Sequence, residues 1–401
     1  MQPERLRAIQ HALAEEGFDA WLFCDFRGSD PIGRAILGLG DGLATRRWFY
    51  AVPVEGIPRA LVSAVEPHVL VGLPGETSVY RTWQDLHAGV RTLLGGARQV
   101  AMQYSPRNDV PYVARVDAGT VELVRQCGVD VGSSADLVQR FEAVWTPAQY
   151  ASHCRAAAGV RATVAAAFAE IAACQQRGRR CDEGSIQAFI LAQFAARGLT
   201  THHPPIVAVG PHSADPHYQP PATGGQAIGR DDFVLIDLWA KEPDGVYADI
   251  TWTGFVGATV PERYTRVFDL VRQARAAGVA AVRRAVRAAE PVRGCDVDAQ
   301  VRAVIDAAGF GDRFVHRTGH SIGTEVHGNG ANIDGFETPD SRRLLPGTCF
   351  SIEPGVYLPG EFGVRSELNA FVDRSEIVVT GEPIQTAVVA ILGDAAPRPY
   401  A

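Results

Sequence analysis

Residues 315–327 read VHRTGHSIGTEVH. This stretch brings His316, His320 and His327 within twelve positions, although the chain has only 11 histidines in 401 residues. Packing alone gives no reason for such a concentration of imidazole groups. A surface loop that happens to hold several histidines is the plain alternative, because short motifs have many chance matches. The first hypothesis is a metal or acid/base site.

Four acidic residues stand at strand-like positions where an exposed charge is not expected. Asp237 lies in the run FVLIDLW at 233–239, which is apolar enough to be buried on both faces. The situation recurs at Asp249, Glu353 and Glu367, which lie within YADITW at 247–252, after FSI at 350–352 and after VRS at 364–366. A buried carboxylate needs a cation or hydrogen-bond donors to offset its desolvation. These four carboxylates therefore predict a shared partner.

Two kinds of partner fit this pattern. Arg365 could pair with one carboxylate in a network of salt bridges, which is the structural alternative. For four carboxylates together with His320, a pair of divalent cations is the more economical partner. Mixed oxygen and imidazole ligation suits manganese, cobalt, zinc or iron.

Length and composition narrow the function classes. A chain of 401 residues predicts two domains. The net charge of -7 offers no broad basic field, so neither nucleic acid nor a membrane surface is an expected partner. Seven cysteines without C-x-x-C spacing do not predict a disulfide framework. With charged residues throughout 1–16 and no long apolar run, the expected location is the cytoplasm.

The periodicity of apolar residues predicts an α/β domain over 1–140 and an α+β domain over 141–401, in which helices pack on one face of a curved, largely antiparallel sheet. The boundary falls before Thr146-Pro147, a helix-start signal. The predicted helices are 4–16, 85–94, 109–116, 147–174, 182–197, 261–290 and 297–308. The predicted strands are 20–24, 46–52, 60–65, 79–82, 205–210, 233–240, 247–256, 349–352, 364–369 and 376–380.

In order, residue type and approximate spacing, this constellation resembles the creatinase, aminopeptidase P and methionine aminopeptidase family of pita-bread metallopeptidases. Within it, the chain is most similar to the proline-specific prolidases and aminopeptidases P. The resemblance covers roughly residues 150–390, preceded by an N-terminal domain of the kind that creatinase and prolidases carry. It implies two divalent cations, manganese before zinc or cobalt, and five ligands: Asp237, Asp249, His320, Glu353 and Glu367.

The implied chemistry is hydrolysis of a peptide bond. Two cations that share a water molecule lower its pKa, so that hydroxide can attack the carbonyl. Glu353 would carry the proton from that water to the leaving nitrogen. His327 and His217 would donate hydrogen bonds to the substrate carbonyl or the oxyanion. His316 is assigned to positioning, with a purely structural histidine as the alternative, and Arg365 would orient the carboxylates.

Two features bear on the substrate. Arg342 and Arg343 are candidates to bind the carboxylate of a dipeptide, with solvated surface arginines as the alternative. The family usually has Gly where Trp239 stands and Thr-Arg where Thr251-Trp252 stands, and these departures concern the shape of the pocket.

The resemblance implies an Xaa-Pro dipeptidase acting on proline-containing peptides. The alternatives are an aminopeptidase P acting on longer peptides, then a methionine aminopeptidase, and a non-catalytic binding module on the same fold. Two-domain relatives form homodimers in which the N-terminal domain of one subunit overhangs the cleft of the other. The glycine-rich loop at 25–45 would then limit substrate length, although an ordinary connecting loop is the alternative.

Overall fold

The chain divides into two compact units in the computed structural model, which describes residues 1–40, 42, 44–221 and 224–393. The first unit is Met1–Glu142 and the second begins at Ala143. The sequence had placed the boundary between residues 140 and 141.

The described residues of the first unit form a six-stranded sheet with helices on both faces. Its helices are α1 (Pro3–Glu16), α2 (Pro31–Leu37), α3 (Trp83–Leu94), α4 (Ala118–Arg125) and α5 (Ala135–Glu142). Its strands are β1 (Ala20–Asp25), β2 (Trp48–Pro53), β3 (Arg59–Ser63), β4 (Glu76–Tyr80), β5 (Gln99–Met102) and β6 (Asp130–Ser133). The strand order is β4-β3-β2-β1-β5-β6, with β1 antiparallel to β2 and parallel to β5. Alternate residues of β1 enter opposite cores, since Trp21 and Phe23 pack with α1 and α2 whereas Leu22 packs with α3 and α4.

Two predictions for this unit were wrong in detail. The helix predicted at 109–116 is only a 3-10 turn, Pro111–Val113, and α4 starts later because the Asp117 side chain caps it through Thr120 N at 2.9 Å. The segment 25–45, predicted as a loop, contains α2. Asp41 and Leu43 of that segment lie outside the described residues.

Within its described residues, the second unit combines four helices with largely antiparallel sheets, which confirms the predicted class. Its helices are α6 (Pro147–Gln176), α7 (Glu183–Ala196), α8 (Glu262–Ala288) and α9 (Gly294–Ala307). Its strands are β7 (Ile206–Val209), β8 (Phe233–Ala240), β9 (Ala248–Phe255), β10 (Ser321–Ile322), β11 (Cys349–Ile352), β12 (Gly355–Leu358), β13 (Phe362–Arg365), β14 (Leu368–Val372), β15 (Ile377–Thr380) and β16 (Val389–Ala390). The strand orders are β16-β9-β8-β7 and β10-β11-β14-β15, together with the hairpin β12-β13.

Helix α6 covers one face of the β7-β8-β9 sheet. Thr146 and Gln149 form a reciprocal capping box at its start, and Pro147 occupies its first turn, as the sequence predicted. The helix is long and apolar enough to span a membrane by length and composition, but 61% of its most apolar window is buried inside the protein. The residues buried there pack against β8 and β9, as those of a core helix do.

The alternation of β8 and β9 decides what the opposite face of this sheet carries. Val234, Ile236 and Leu238 enter the core beneath α6 and α7. The residues between them, including Asp237, therefore point to the other face. The strand predicted at 364–369 is two strands, since β13 ends at Arg365 and β14 begins at Leu368. Glu367 lies in the bend between them.

Candidate metal centre

The antiparallel pairing of β8 with β9 brings two of the predicted ligands onto one face. Asp237 lies opposite Thr251, and Trp239 lies opposite Asp249. Residues directly opposite in an antiparallel pair share a face, so both carboxylates lie on the side away from α6. The backbone of Asp249 is fixed by Asn369, whose side chain accepts from Asp249 N at 3.0 Å and donates to Asp249 O at 2.6 Å.

The other three predicted ligands come from the second sheet and its connections. His320 immediately precedes β10, and its backbone N–H donates to Ser351 Oγ at 2.9 Å. Glu353 immediately follows β11, where its N–H donates to the carbonyl of Thr318 at 2.7 Å. The N–H of Glu367 donates to Thr251 O at 3.3 Å and so joins the two sheets.

These connections converge on one cluster. His320 Nε2 lies 3.5 Å from Asp249 Oδ2 and 3.3 Å from Glu353 Oε1. Ligand atoms of Asp249, His320 and Glu367 all lie within 4.8 Å of one another, and all three residues are buried. The structure thus brings together side chains that are separated by up to 118 residues in the sequence, from Asp249 to Glu367.

Thr251 and Arg365 link the remaining carboxylate to the cluster. Thr251 Oγ1 lies 3.1 Å from Asp237 Oδ1 and 2.8 Å from Glu367 Oε2, and it accepts from Arg365 Nε at 3.0 Å. Arg365 also forms a buried ion pair with Asp237 through Nη2. Because the hydroxyl of Thr251 has a single proton, it can donate fully to only one of the two carboxylates.

The cluster has fewer hydrogen-bond donors than its carboxylate oxygens can accept, and a cation could bind the oxygens that are left over. Asp249 Oδ1 and Glu367 Oε1 are buried and have no hydrogen-bond partner among the described residues. A buried carboxylate oxygen without a donor is costly, since the full desolvation penalty remains. The donor set of carboxylate oxygens and one imidazole matches divalent manganese, cobalt, zinc or iron. The residues present therefore fit metal ions.

The electrostatics lead to the same conclusion. Burial, followed by repulsion from Asp237, raises the pKa of Asp249 well above its ordinary value. Burial and repulsion from Asp249 do the same to the pKa of Glu367. Burial raises the pKa of Glu353 to about 7, and burial lowers the pKa of His320 well below its ordinary value. Positive charge at the centre would keep these carboxyl groups ionised, and the neutral imidazole of His320 has a lone pair to offer.

The other histidines of the predicted site occupy different positions. His316 has both ring nitrogens engaged, with Nδ1 2.7 Å from Arg317 O and Nε2 2.7 Å from Tyr357 Oη. Since Arg365 Nη1 donates to the same Tyr357 oxygen at 3.2 Å, His316 supports Arg365 and offers no free nitrogen to a ligand. This arrangement agrees with positioning instead of direct chemistry.

His327 and His217 remain available at the edge of the cluster. The ring of His327 lies 4.2 Å from that of His320, centroid to centroid. Burial, with further contributions from Arg317 and His217, lowers the pKa of His327 to about 4. His217 is exposed and acts electrostatically on both His316 and His327, which puts its imidazole near them.

The two arginines predicted to bind a substrate carboxylate differ. Arg342 is buried and holds Asp340 with Nε at 2.8 Å and Nη2 at 2.6 Å, while its Nη1 donates to Asn329 O at 2.8 Å. A guanidinium with these contacts holds its own loop in place, which argues against a role for Arg342 in binding substrate. Arg343 is half-buried and pairs through its backbone with Arg293.

Sequence reasoning did not assign a role to Thr251 or Tyr357. The only local signal for Thr251 was its position two residues after Asp249, on the same face of β9. Tyr357 gave no signal, because its link between His316 and Arg365 spans 41 residues. Trp239, noted as a departure in the sequence, is half-buried and lies on the metal side directly opposite Asp249.

Comparisons with known proteins identify the family. The chain is 34% identical over 185 residues to the probable dipeptidase PepE of Mycobacterium tuberculosis, covering 46% of each protein. It is 35% identical over 162 residues to an Xaa-Pro dipeptidase of Lactobacillus helveticus, covering 40% of each. The matched region thus spans less than half the length of these curated relatives.

The likeness extends further in structure. A crystal structure of the dipeptidase PepE from Mycobacterium ulcerans matches with a TM-score of 0.70 and 25% identity, covering 96% of this chain and 97% of that one. The family model for metallopeptidase family M24 matches residues 152–374, more than half of the chain and all five predicted ligands. The chain belongs to metallopeptidase family M24.

Proposed function

We propose that this protein is a peptidase that hydrolyses the Xaa-Pro bond of dipeptides with two divalent cations, manganese first among them. The observation that carries the proposal is the buried cluster of carboxylates and imidazole with unpartnered oxygens on Asp249 and Glu367. Membership of family M24 supports it. So does the name of the Lactobacillus helveticus relative, an Xaa-Pro dipeptidase.

Five residues would hold the cations: Asp237, Asp249, His320, Glu353 and Glu367. When bound, the ions supply positive charge that polarises a peptide carbonyl and lowers the pKa of water. Thr251 and Arg365 hold Asp237 and Glu367 in place through the contacts described above. Because Arg365 is itself fixed by Tyr357 and His316, the carboxylates are oriented before any ligand arrives.

Glu353 is the residue that moves the proton. Its Oε1 accepts from Ser351 Oγ at 3.0 Å, whereas Oε2 lies 3.9 Å from Arg365 Nε, beyond hydrogen-bond distance. Its side chain retains 14% exposure, so it borders the open side of the cluster. We assign it to accept a proton from the attacking water and to deliver that proton to the proline nitrogen as the bond breaks.

His327 and His217 bind the substrate. Each would donate an N–H to a carbonyl oxygen of the peptide, with the contact of His327 strengthening as negative charge develops on the oxygen. Arg343 would bind the free carboxylate of the proline residue as a planar, bidentate donor. We further propose that the protein is a homodimer and that it is located in the cytoplasm. The seven cysteines, which are all free, agree with this location.

The test begins with metal content and substrate length. Purified protein loaded with manganese is expected to hold about two ions per chain and to hydrolyse Ala-Pro, with activity lost on chelation. Asp249→Asn should lose an ion and all turnover, whereas Asp244→Asn, in the exposed turn between β8 and β9, should change neither. Faster cleavage of Ala-Pro-Ala than of Ala-Pro would identify an aminopeptidase P instead. Two bound ions with no hydrolysis of any peptide would identify a binding module.

A further inference from the structure

A second buried carboxylate lies outside the metal cluster. Glu183, at the first position of α7, is 0% exposed. Oε1 accepts from Val209 N at 3.0 Å and His212 Nδ1 at 2.8 Å. Oε2 accepts from Tyr218 Oη at 2.7 Å and Gln226 N at 2.9 Å. Four donors satisfy the hydrogen-bonding capacity of this carboxylate, so it needs no cation. Its role is to hold the four groups that donate to it.

All four donors belong to one stretch of chain. This stretch, residues 209–226, follows β7 and precedes β8 in the chain, and the structure describes it except for Ala222 and Thr223. Glu183 binds it near both of its ends, at Val209 and at Gln226. His212 and Tyr218 also stack on each other, with ring centroids 4.3 Å apart and an angle of 25° between the planes. Since a carboxylate only accepts, Nδ1 of His212 carries the hydrogen.

The same stretch carries His217. Pro216 O accepts from Arg365 Nη1 at 3.0 Å, and Ser213 Oγ accepts from Gly363 N at 2.9 Å, which tie the stretch to β13. These two contacts hold the stretch to β13, next to the Arg365 that pairs with Asp237, and Glu183 holds it to α7. The position of His217 is therefore set by its neighbours in the chain and not by its own exposed side chain.

We propose that Glu183 is a positioning residue for His217. The inference rests on the proposed function, in which His217 donates to the substrate carbonyl. Glu183 binds no substrate and no metal. It fixes the backbone on both sides of His217, and a displacement of about 1 Å at a catalytic group can reduce the rate on the order of 100-fold.

The test is a double-mutant cycle with Glu183→Gln and His217→Ala. Glutamine keeps the size of the side chain, but it has one accepting oxygen in place of two. Whichever way the amide is turned, one pair of donors therefore meets an NH2 group that cannot accept. Glu183→Gln alone should lower kcat/KM for Ala-Pro by about 10-fold or more, with the manganese content unchanged. In the His217→Ala background, the same substitution should lower kcat/KM by less than about 2-fold, because it acts through the missing group. If the fall in kcat/KM of the double variant instead equals the product of the falls in the two single variants, Glu183 does not act through His217 and the proposal is wrong.

Two further variants control for misfolding. Tyr218→Phe removes one of the four donors, and it should give a smaller fall in kcat/KM that is likewise absent when His217 is alanine. Asp182→Asn is the matched control, since this neighbouring carboxylate only caps α7 through Ser185 N at 2.9 Å and asparagine caps as well. It should leave activity unchanged.

Hydrogen exchange separates this inference from the proposed function. Glu183→Gln should accelerate amide exchange in peptides covering 209–218, and Asp182→Asn should not. Unchanged exchange in Glu183→Gln would overturn the positioning role whatever the activity. A wild-type protein that hydrolyses no Xaa-Pro peptide would overturn the proposed function, while the exchange result would still decide whether Glu183 fixes the stretch around His217.

Discussion

Glu367→Gln should have opposite effects on stability with and without metal. Glu367 is buried, one of its oxygens has no donor, and its ligand atom lies within 4.8 Å of those of Asp249 and His320. Without a cation, folding must either place two negative charges at this distance or take up a proton, because burial raises the pKa of Glu367. Glutamine removes both costs and can still accept from Thr251 Oγ1.

The size of the effect follows from the separation. Two like charges at the upper limit of this separation, 4.8 Å, repel by roughly 3 kcal/mol at an effective dielectric constant of about 20. In the presence of a chelator, the variant should therefore exceed the wild type in unfolding free energy by up to about 3 kcal/mol. For a unit of this size, that corresponds to a rise in Tm of roughly 6–12 °C.

Saturating manganese should reverse the order. An ion present at 1,000 times its Kd stabilises the folded state by about 4.1 kcal/mol. The variant loses this stabilisation for each ion that it no longer binds. This loss exceeds the roughly 3 kcal/mol gained from neutralisation. The assay is scanning calorimetry of both proteins in EDTA and in manganese chloride, with Glu361→Gln, an exposed carboxylate of the same unit, as the control. A variant that is less stable than the wild type under both conditions would refute the reasoning.

Four further predictions concern the site and the core. His327→Ala should keep its metal content while kcat falls on the order of 100-fold, the usual cost of losing one oxyanion donor; loss of metal instead would make His327 a ligand. Arg343→Ala should raise KM for Ala-Pro but not for Ala-Pro amide, which has no free carboxylate. An equal rise in KM for both substrates would show that Arg343 does not bind the carboxylate. Trp239→Ala should raise the ratio of kcat/KM for Phe-Pro over Ala-Pro, because the indole lies opposite Asp249; Trp252→Phe, on the other face of the sheet, should leave the ratio unchanged. Burial lowers the pKa of His153 to about 4. Since the unfolded chain takes up this proton near pH 6.5, stability present above pH 6.5 should be lost as the pH falls toward 4, by on the order of 3 kcal/mol. Urea denaturation at pH 7.5 and 5 measures the part of the loss that falls in this range. His153→Gln should reduce it by about 2 kcal/mol, and the rest should remain because burial also lowers the pKa of His320 and His327.

The sequence predicted the class of the second unit because its helices are long and its strands are strongly apolar. The start of α6 could be predicted from Thr146-Pro147 alone, since capping is a property of a few neighbouring residues. Short elements were harder. Strands such as β5 and β6 have four residues each, too few for alternation to stand out.

The candidate site was partly visible in the sequence for the same local reason. A carboxylate inside an apolar run, as at Asp237, is unusual wherever the chain later places it. Such positions can be found without knowing their partners. They remain proposed ligands, and the structure adds that three of them, Asp249, His320 and Glu367, lie within reach of one ion.

Which segments are buried, and which of them carry charge, could be predicted without a structure, because burial and periodicity are encoded within a few residues. Which charged groups meet depends on the three-dimensional fold. Arg365 reaches Asp237 across 128 residues, whereas Arg342 pairs with Asp340 two residues away and so is not free for a substrate. Glu183 acquires its role through donors 26 to 43 residues along the chain. Such contacts depend on how strands are paired and connected, and no local pattern of residue types contains that information.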